Sequence, residues 1–301
     1  MSTFIALTLS AVALGSIYFL IASGLSLIYG LMNVLNFAHG AFMTLGAFAG
    51  LEVAVHVTTS LGTTVQFILT ILGAIFGGAL AALVTELLLI RPLYGRLISQ
   101  VLVTVGLDLV LVGIMFGAFG SNSRSIPAPL WLSGVTTIGP EHIPNGDFLA
   151  VGAAAVVLVG LTWLLRRTRY GLIIRAGVEN REMVRALGID VGRAFTLVFV
   201  IGGAAAGLAG LLNSLVFNSG LVDPTQGDQL LIFAFIVVVI GGLGSLYGSA
   251  IAALMVGLVQ VYVGFYVGSH SGLAELGNIS VVLLLAVVLQ IRPRGLLGTS
   301  S

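Results

Sequence analysis

Nine long stretches of the chain contain almost no charged residues, and this feature limits the possible folds more than any other. Most of them have about the 20 residues that an α-helix needs to cross the hydrocarbon core of a bilayer. Because lipid offers no hydrogen-bond partners to the backbone, these stretches are predicted to be helical. They cover residues 4–30, 37–57, 63–90, 98–119, 147–165, 194–217, 229–241, 249–267 and 276–291.

The seventh stretch is short for a full crossing, so we predict that it is half of a broken helix, joined to the eighth through the glycine-rich residues 241–249. The expected fold is an all-α polytopic integral membrane protein. It forms one bundle of about eight to nine transmembrane segments, some of them broken, in a single domain over residues 1–301. Glycines also interrupt the first apolar run near residues 30–40. Paired interruptions in two halves of a chain are typical of transporters built from repeats.

The composition excludes several classes of protein. Charged residues make up only 8% of the chain, against about 25% in a soluble domain, so the chain cannot cover a water-facing surface. The absence of cysteine excludes disulfides and cysteine-ligated metals, and the absence of lysine excludes a GxxxxGK[ST] phosphate-binding loop. The net charge of +1 argues against a nucleic-acid partner. No basic residue precedes Arg91, so the first stretch is expected to be a retained span rather than a signal peptide.

The arginines predict an orientation. Seven of the twelve basic residues lie in residues 166–193, and the others include Arg91, Arg96, Arg292 and Arg294. Nine crossings place all of these on one side, which the positive-inside rule identifies as the cytoplasm. The N-terminus and the proline-containing loop 120–146 then lie outside. If two stretches merge, the N-terminus changes sides and the arginine-rich loops stay inside.

The longest charged stretch, residues 166–193, includes a predicted short helix with the sequence NREMVRALG. Asn180 suits the N-cap, and Gly188 suits the left-handed position after the last turn. Met183, Val184, Ala186 and Leu187 share an apolar face, which a helix this short must bury to be stable. That face either lies against the membrane and the protein's own bundle or docks into a groove of an ATPase subunit.

Several blocks of the sequence resemble one family. Residues 24–48, GLSLIYGLMNVLNFAHGAFMTLGAF, and residues 170–190, YGLIIRAGVENREMVRALGID, closely resemble two signatures of LivH-type permeases. These permeases are subunits of ATP-binding-cassette importers for branched-chain amino acids. Residues 90–96, 237–260 and 291–298 resemble three further blocks in the same order. The positions that match the family's ATPase-coupling loop are Gly171, Arg175, Ala176, Glu179, Asn180, Ala186, Gly188 and Ile189.

The resemblance implies a function and a set of partners. It implies import of branched-chain amino acids or a related solute, such as urea, an amide or an aromatic acid. The expected partners are a second permease, homologous or a copy of this chain, two ATP-binding subunits, an extracytoplasmic solute-binding protein and the lipid bilayer. This chain would then bind no cofactor and catalyse no reaction, since ATP and magnesium belong to the ATPase subunits. The expected location is the bacterial plasma (inner) membrane, with multiple passes and a cytoplasmic C-terminus.

Polar residues within the early apolar run are the first candidates for the translocation path. Asn33, Asn36 and His39 form a polar stripe if the helix continues, and they surround a helix break if it does not. Both arrangements point the polar groups away from lipid. These groups either hydrogen-bond between helices or border the path together with Gly40. We expect this segment to approach a second interruption at Gly241, Gly242 and Gly244 near the membrane midplane.

Glu52, Glu86 and Asp108 are acidic residues within the apolar stretches. Glu52 and Glu86 are near segment ends and can reach the interface, and Glu86 can pair with Arg91. Asp108 lies near the centre of its span, where a charge costs at least ~2.5–3.5 kcal/mol. Asp108 is therefore expected to face the bundle interior, either as a hydrogen-bond partner of a neighbouring helix or as part of the translocation path.

Two other functions remain as alternatives. An ion-coupled secondary transporter would use Asp108 as its ion site, but it would leave the charged loop unexplained. A membrane enzyme is disfavoured, because the chain has neither an HExxH metal motif nor a GxSxG nucleophile elbow.

Overall fold

The structure is a computed structural model that describes residues 2–57, 62–138, 141–179, 184, 191–268 and 275–298. Within these residues the fold consists mainly of ten α-helices, which confirms the prediction of a helical, polytopic membrane protein. The helices are α1 (Ser2–Met32), α2 (His39–Glu52), α3 (Thr63–Thr85), α4 (Leu97–Phe119), α5 (Asn145–Arg167), α6 (Arg169–Glu179), α7 (Val191–Val216), α8 (Gln226–Gly241), α9 (Leu246–Val263) and α10 (Leu276–Ile291).

Among the described residues, six helical segments are long and apolar enough to cross a membrane. They correspond to α1, α3, α4, α5, α7 and α9. Three further apolar helices are shorter: α2 has 14 residues, and α8 and α10 have 16 residues each. The expectation of eight to nine crossings therefore remains a prediction.

Short non-α elements extend or connect the helices. π-Helical turns follow α2, α3 and α9 at Val53–Val57, Glu86–Ile90 and Gly264–Gly268, and a 3₁₀ turn covers Arg91–Leu93. Four short strands are β1 (Arg124–Ser125), β2 (Val135–Ile138), β3 (Glu141–Pro144) and β4 (Leu221–Val222). The antiparallel pairs β1–β4 and β2–β3 join the loops at one end of the bundle.

The arginine-rich segments meet at the other end of the bundle, which we call the arginine-rich end. The Tyr94 and Phe195 rings lie 6.0 Å apart there, with their planes nearly perpendicular. The Arg166 guanidinium lies 5.2 Å from the centre of the Tyr247 ring. The backbone N–H of Leu296 donates to the Ile240 carbonyl at 2.8 Å, which attaches the C-terminal segment to the end of α8.

Small residues let the inner helices touch. Gly46 of α2, Gly78 of α3 and Gly207 of α7 meet at one crossing, where a Cβ on Gly207 would lie 3.1 Å from the Gly78 Cα. Gly24 of α1 meets Gly202 of α7 similarly, because a Cβ on Gly24 would lie 2.9 Å from the Gly202 Cα. Helix association in lipid relies on close packing of this kind, since water does not drive it. These contacts make α1, α2 and α7 the centre of the bundle.

The outer helices α4 and α5 bury far fewer residues. In α4 only Gln100, Thr104 and Met115 are buried, while Leu102 and Leu109 are mostly exposed. In a membrane protein such exposed apolar faces are available to lipid or to another membrane subunit. Most of the α4 surface is therefore not packed against the rest of this chain.

The three-glycine crossing generates a stability prediction. Replacing Gly207 with Val should destabilise the protein by about 1–3 kcal/mol or more, because the new side chain meets the backbone of α3. The same change at Gly152 on α5, where a Cβ would meet nothing within 4 Å, should have little effect. The measurement is the thermal unfolding midpoint of the purified protein in detergent. Equal midpoints for the two variants would contradict the close-packing argument.

Candidate functional site

A break in the helix separates α1 from α2, so of the two conformations left open by the sequence the structure shows the broken one. Asn33 ends α1 in a left-handed conformation with φ of 54°, and its N–H donates to the Tyr29 carbonyl at 2.8 Å. Asparagine is one of the few residues that adopt this conformation readily. Helix resumes only at His39. Asn33 is exposed and acts as a helix stop.

Side chains of α4 supply the hydrogen-bond acceptors that this break requires. Ala38, the N-cap residue of α2, makes no side-chain cap hydrogen bond. Instead, the Phe37 N–H donates to Thr104 Oγ1 at 3.2 Å, and the Ala41 N–H donates to Asp108 Oδ1 at 3.3 Å. Asp108 therefore caps α2 from a neighbouring helix, which is one of the two roles expected for it.

The start of α8 reaches the same place. Gly40 packs on Gly227, because a Cβ on Gly40 would lie 2.9 Å from the Gly227 carbonyl oxygen. The Gly227 N–H donates to Thr44 Oγ1 at 3.1 Å, and Ser214 donates to Gln226 Oε1 at 2.8 Å. The N-termini of α2 and α8 thus meet inside the bundle.

Two half-buried acidic residues lie where these helix ends converge. Asp228 lies in the first turn of α8, where a Cβ on Gly40 would lie 3.4 Å from the Asp228 backbone nitrogen, and Asp108 on α4 accepts from the N–H of the next residue, Ala41. Asp108 is at the middle of its 23-residue helix, about 16 Å from either end. The positive ends of helix dipoles favour acidic groups at this position. We call Phe37, Ala41, Thr104, Asp108, Asp228 and Phe235 the midspan cluster; its two phenylalanine rings lie 5.0 Å apart.

Asn36 and His39 are fully buried and are not among the groups that contact Asp108. The His39 ring packs against Gly24 of α1 and Phe42 of its own helix. The Ile21 carbonyl is its nearby acceptor, and no polar side-chain atom of Asn36 or His39 has a hydrogen bond of good geometry in the described part of the chain. In this conformation both residues are packing positions. Their role in translocation stays a prediction.

The glycines of the second interruption lie elsewhere, which corrects one expectation. Gly242 and Gly244 adopt positive φ angles of 98° and 84° in the tight turn between α8 and α9, at the arginine-rich end. Gly244 packs on Gly30 near the end of α1, and Gly241 packs on the start of α9. We expected this turn to meet residues 33–40 near the midplane, but Gly40 packs on Gly227 instead. The reason is that α8 continues unbroken from Gln226 to Gly241, so its interruption lies at its end.

The residues predicted to couple to an ATPase are only partly described. Gly171, Arg175, Ala176 and Glu179 lie on α6, whereas Asn180, Met183, Ala186, Leu187, Gly188 and Ile189 lie outside the described residues. The Gly171 N–H donates to Thr168 Oγ1 at 3.1 Å, in a turn where a Cβ would meet the backbone of α5. Gly171 therefore allows the chain to turn sharply from α5 into α6. Arg175 is exposed and Ala176 is half-buried.

Val184 agrees with one of the two alternatives left open for the apolar face of residues 180–188, which is packing against the protein's own bundle. Its side chain is only 5% exposed. It forms a small core with Val191 and Phe195, against which Met32 and Tyr94 also pack. Part of this face is therefore used by the protein itself, and the segment is anchored to the bundle at Val184.

Glu86 is a buried acceptor at the same end. Its carboxylate accepts hydrogen bonds from the Tyr94 hydroxyl at 2.5 Å and the Thr196 hydroxyl at 2.8 Å. The expected pairing with Arg91 is present at 3.8 Å, but Glu86 itself is fully buried and does not reach the interface. Glu86 thus ties the end of α3 to α7 next to the Val184 core.

Two large crevices on the bundle surface are not suited to bind a polar solute. One of about 420 Å³ lies between α3, α5 and α7, and one of about 470 Å³ lies between α2, α3 and α4. Their walls are almost entirely apolar, so they suit acyl chains rather than a polar solute. The midspan cluster remains the candidate site.

A helical membrane bundle with an anchored, arginine-rich end and a polar site at midspan has the features of a transport permease. The family described as the permease component of branched-chain amino acid transport systems matches residues 7–291, and the chain belongs to this family. It is a permease component of an ATP-binding-cassette importer. The alternative of an ion-coupled secondary transporter is not supported.

Similar proteins cover almost the full length of the chain. The high-affinity branched-chain amino acid transport system permease protein LivH of Escherichia coli is 29% identical over 96% of this chain and 94% of that protein. A probable LivH of Methanocaldococcus jannaschii is also 29% identical, over 96% and 90% of the two chains. The solved structure of PsaBC from Streptococcus pneumoniae in complex with Fab has a TM-score of 0.50 at 13% identity, over 95% of this chain and 91% of that one. This last likeness concerns the fold alone.

Sequence reasoning missed Asp228, Gln226 and Thr44. The sequence predicts that the seventh apolar stretch begins at residue 229, so Asp228 falls outside the predicted membrane segment. In the structure α8 begins at Gln226 and includes Asp228. A start signal was available, since an acid in the first turn is typical of a helix N-terminus. The packing of the Asp228 backbone beside the start of α2 could not be inferred, because Gly40 and Asp228 are far apart in the sequence.

The Glu86 contacts generate the second prediction. Replacing Glu86 with Ala should lower stability by about 1–3 kcal/mol for each hydroxyl that loses its acceptor. Glu52→Ala is the matched control, since Glu52 pairs with the exposed His56, and such surface pairs contribute little. The readout is again the thermal unfolding midpoint in detergent. A Glu52→Ala variant as unstable as Glu86→Ala would contradict the assignment.

Proposed function

We propose that this chain and a second permease together form the path for branched-chain amino acids or a related small solute such as urea, an amide or an aromatic acid. The family match over residues 7–291 is the observation that carries this proposal. The names of the similar proteins indicate the solute class, and the midspan cluster offers polar groups at the depth where a solute must pass. ATP hydrolysis then takes place on two separate ATP-binding subunits, and an extracytoplasmic protein delivers the solute.

The arginine distribution supports the membrane orientation. The arginine-rich end collects Arg91, Arg96, Arg292, Arg294 and the arginines of residues 166–193, and the positive-inside rule assigns such an end to the cytoplasm. The C-terminus is then cytoplasmic. With nine crossings in one domain, including the short α2, α8 and α10, the N-terminus is outside.

The midspan cluster is our candidate for the path because of its depth and exposure. Asp108 and Asp228 are only half-buried by their own chain, although Asp108 lies at the middle of a membrane helix. A charged group at this depth does not face acyl chains, because the cost of exposing it there is several kcal/mol. The open side of the cluster therefore faces an aqueous cavity or the second permease.

The decisive experiment is reconstitution. The tagged chain is purified from native membranes, its associated subunits are identified, and the complex is placed in proteoliposomes with ATP inside. We expect uptake of leucine, isoleucine or valine that needs ATP and a solute-binding protein. Uptake driven by an ion gradient without any ATPase subunit would overturn the proposal.

Coupling to the ATPase gives the third prediction. Replacing Met183 and Leu187 together with Asp should abolish solute-stimulated ATP hydrolysis while the permease stays folded in the membrane, because an apolar docking face becomes charged. Leu130→Asp is the control, since Leu130 is 90% exposed at the opposite end of the bundle. Normal co-purification and normal stimulation of ATPase activity in the double variant would contradict the docking assignment.

Water access gives the fourth prediction. The chain has no cysteine, so a single introduced cysteine is the only thiol in this chain that can react with the reagent. Cysteine at Gln229, an exposed residue beside Asp228, should react with a membrane-impermeant thiol reagent in at least one nucleotide state. Cysteine at Val156, which is 72% exposed on the apolar surface of α5, should stay unreactive in lipid. If both behave alike, the cluster does not border an aqueous path.

A further inference from the structure

Glu86 lies at the start of an irregular stretch of backbone that follows α3. The chain passes through the π-helical turn Glu86–Ile90 and then through the 3₁₀ turn Arg91–Leu93, which includes Pro92. π-Helical turns are rare and are frequent at functional sites. Here the two turns bring Tyr94 into a position where its hydroxyl reaches a carboxyl group eight residues earlier in the chain.

The two oxygens of the Glu86 carboxyl group hold two different elements. Oε1 accepts a hydrogen bond from the Tyr94 hydroxyl at 2.5 Å, and Oε2 accepts one from the Thr196 hydroxyl of α7 at 2.8 Å. The Arg91 Nε lies farther away, 3.8 Å from Oε1. Because the Glu86 side chain is fully buried, water does not compete for either oxygen. One side chain therefore joins the connection between α3 and α4 to α7.

Both partners of Glu86 are next to the Val184 core. The Tyr94 ring packs against this core and lies 6.0 Å from the Phe195 ring, with the two planes nearly perpendicular. Such an edge-to-face contact depends on the orientation of both rings. Thr196 follows Phe195 in the sequence, so the second oxygen of Glu86 holds the same core from the side of α7.

Val184 lies within residues 180–189, the segment that the proposed function assigns to ATPase docking. Its side chain is 5% exposed, and Met32 at the end of α1 and Ala176 of α6 also pack against its core. The core thus connects this segment to α1, α6, α7 and the connection between α3 and α4. A change in the position of the Tyr94 ring changes the surface against which Val184 packs.

The hydroxyl bond matters because Tyr94 lies in an exposed connection. Pro92, Gly95 and Arg96 on either side of it are exposed, and the Tyr94 side chain itself is half-buried. Apolar packing is non-directional, whereas a hydrogen bond to a buried acceptor has a defined geometry. We therefore expect the bond to Glu86 to select the orientation of the Tyr94 ring.

We propose that Glu86 is a positioning residue for ATPase coupling, because its carboxyl group holds Tyr94 and Thr196 against the core that contains Val184. The role in coupling rests on the proposed function, whereas the position of Val184 does not. An ATPase subunit docked on residues 180–189 then acts on a segment whose position is fixed. Without the carboxyl bridge the segment shifts, and ATP hydrolysis responds less to solute.

The position of Val184 is tested on the full chain, purified in detergent. Val184→Cys introduces a single thiol into the core, and its reaction rate with a water-soluble maleimide reports how often the core opens. Tyr94→Phe keeps the ring and removes the hydroxyl, so the rate should rise about two- to tenfold, as expected when one hydrogen bond is lost. Glu86→Ala should raise the rate as well. Glu86→Gln should restore the wild-type rate, because its amide can accept from one hydroxyl and donate to the other.

Tyr262→Phe is the matched control for Tyr94→Phe. It also removes one tyrosine hydroxyl, which lies 2.8 Å from Thr8 Oγ1, but at the end of α9 that is away from the arginine-rich end. The maleimide rate at position 184 should not change in this variant. Equal rates in the two tyrosine variants would overturn the proposal. Thr196→Val, which removes the other hydroxyl at nearly constant volume, should also raise the rate.

The role in coupling is tested on the complete transporter in proteoliposomes, by the ratio of solute-stimulated to basal ATP hydrolysis. Tyr94→Phe should lower this ratio several-fold, and Glu86→Gln and Tyr262→Phe should keep it. A purely structural role would lower the unfolding midpoint of both tyrosine variants and leave the ratio unchanged. A faster maleimide reaction with a wild-type ratio therefore overturns the proposal. A complex that labels as expected but hydrolyses no ATP contradicts the proposed function instead.

Discussion

The midspan hydrogen bonds that replace the missing helix between α1 and α2 are the interactions on which the rest of the site depends. Peptide groups inside a membrane must find partners within the protein. The Phe37 and Ala41 N–H groups find them in Thr104 and Asp108 of α4. This requirement brings an outer helix to the centre of the bundle and fixes the depth at which α2 begins.

Glycine packing makes this arrangement possible. Gly40 and Gly227 bring the starts of α2 and α8 into direct backbone contact, and Gly46, Gly78 and Gly207 hold α2, α3 and α7 together below them. The rigid centre contrasts with α4, most of whose surface is free. The exposed face of α4 is available to lipid or to another membrane subunit.

The arginine-rich end shows how one segment can serve two purposes. Val184 is buried against Phe195, while Glu86 ties α3 to α7 nearby through the hydroxyls of Tyr94 and Thr196. Sequence periodicity does not decide the partner of the predicted apolar face, because periodicity does not distinguish a face buried within the chain from one buried by another subunit.

The sequence by itself determined the helical membrane fold, the arginine-rich segments, the family and the interior position of Asp108, because hydropathy, charge and local motifs depend on neighbouring residues. The tertiary structure decided that Asn33 ends a helix, that Gly241, Gly242 and Gly244 form a turn away from Gly40, and that the start of α8 packs on the start of α2. These two helix starts are far apart in the sequence, and inside a membrane their backbone N–H groups need partners within the protein, which Thr104, Asp108 and Thr44 supply.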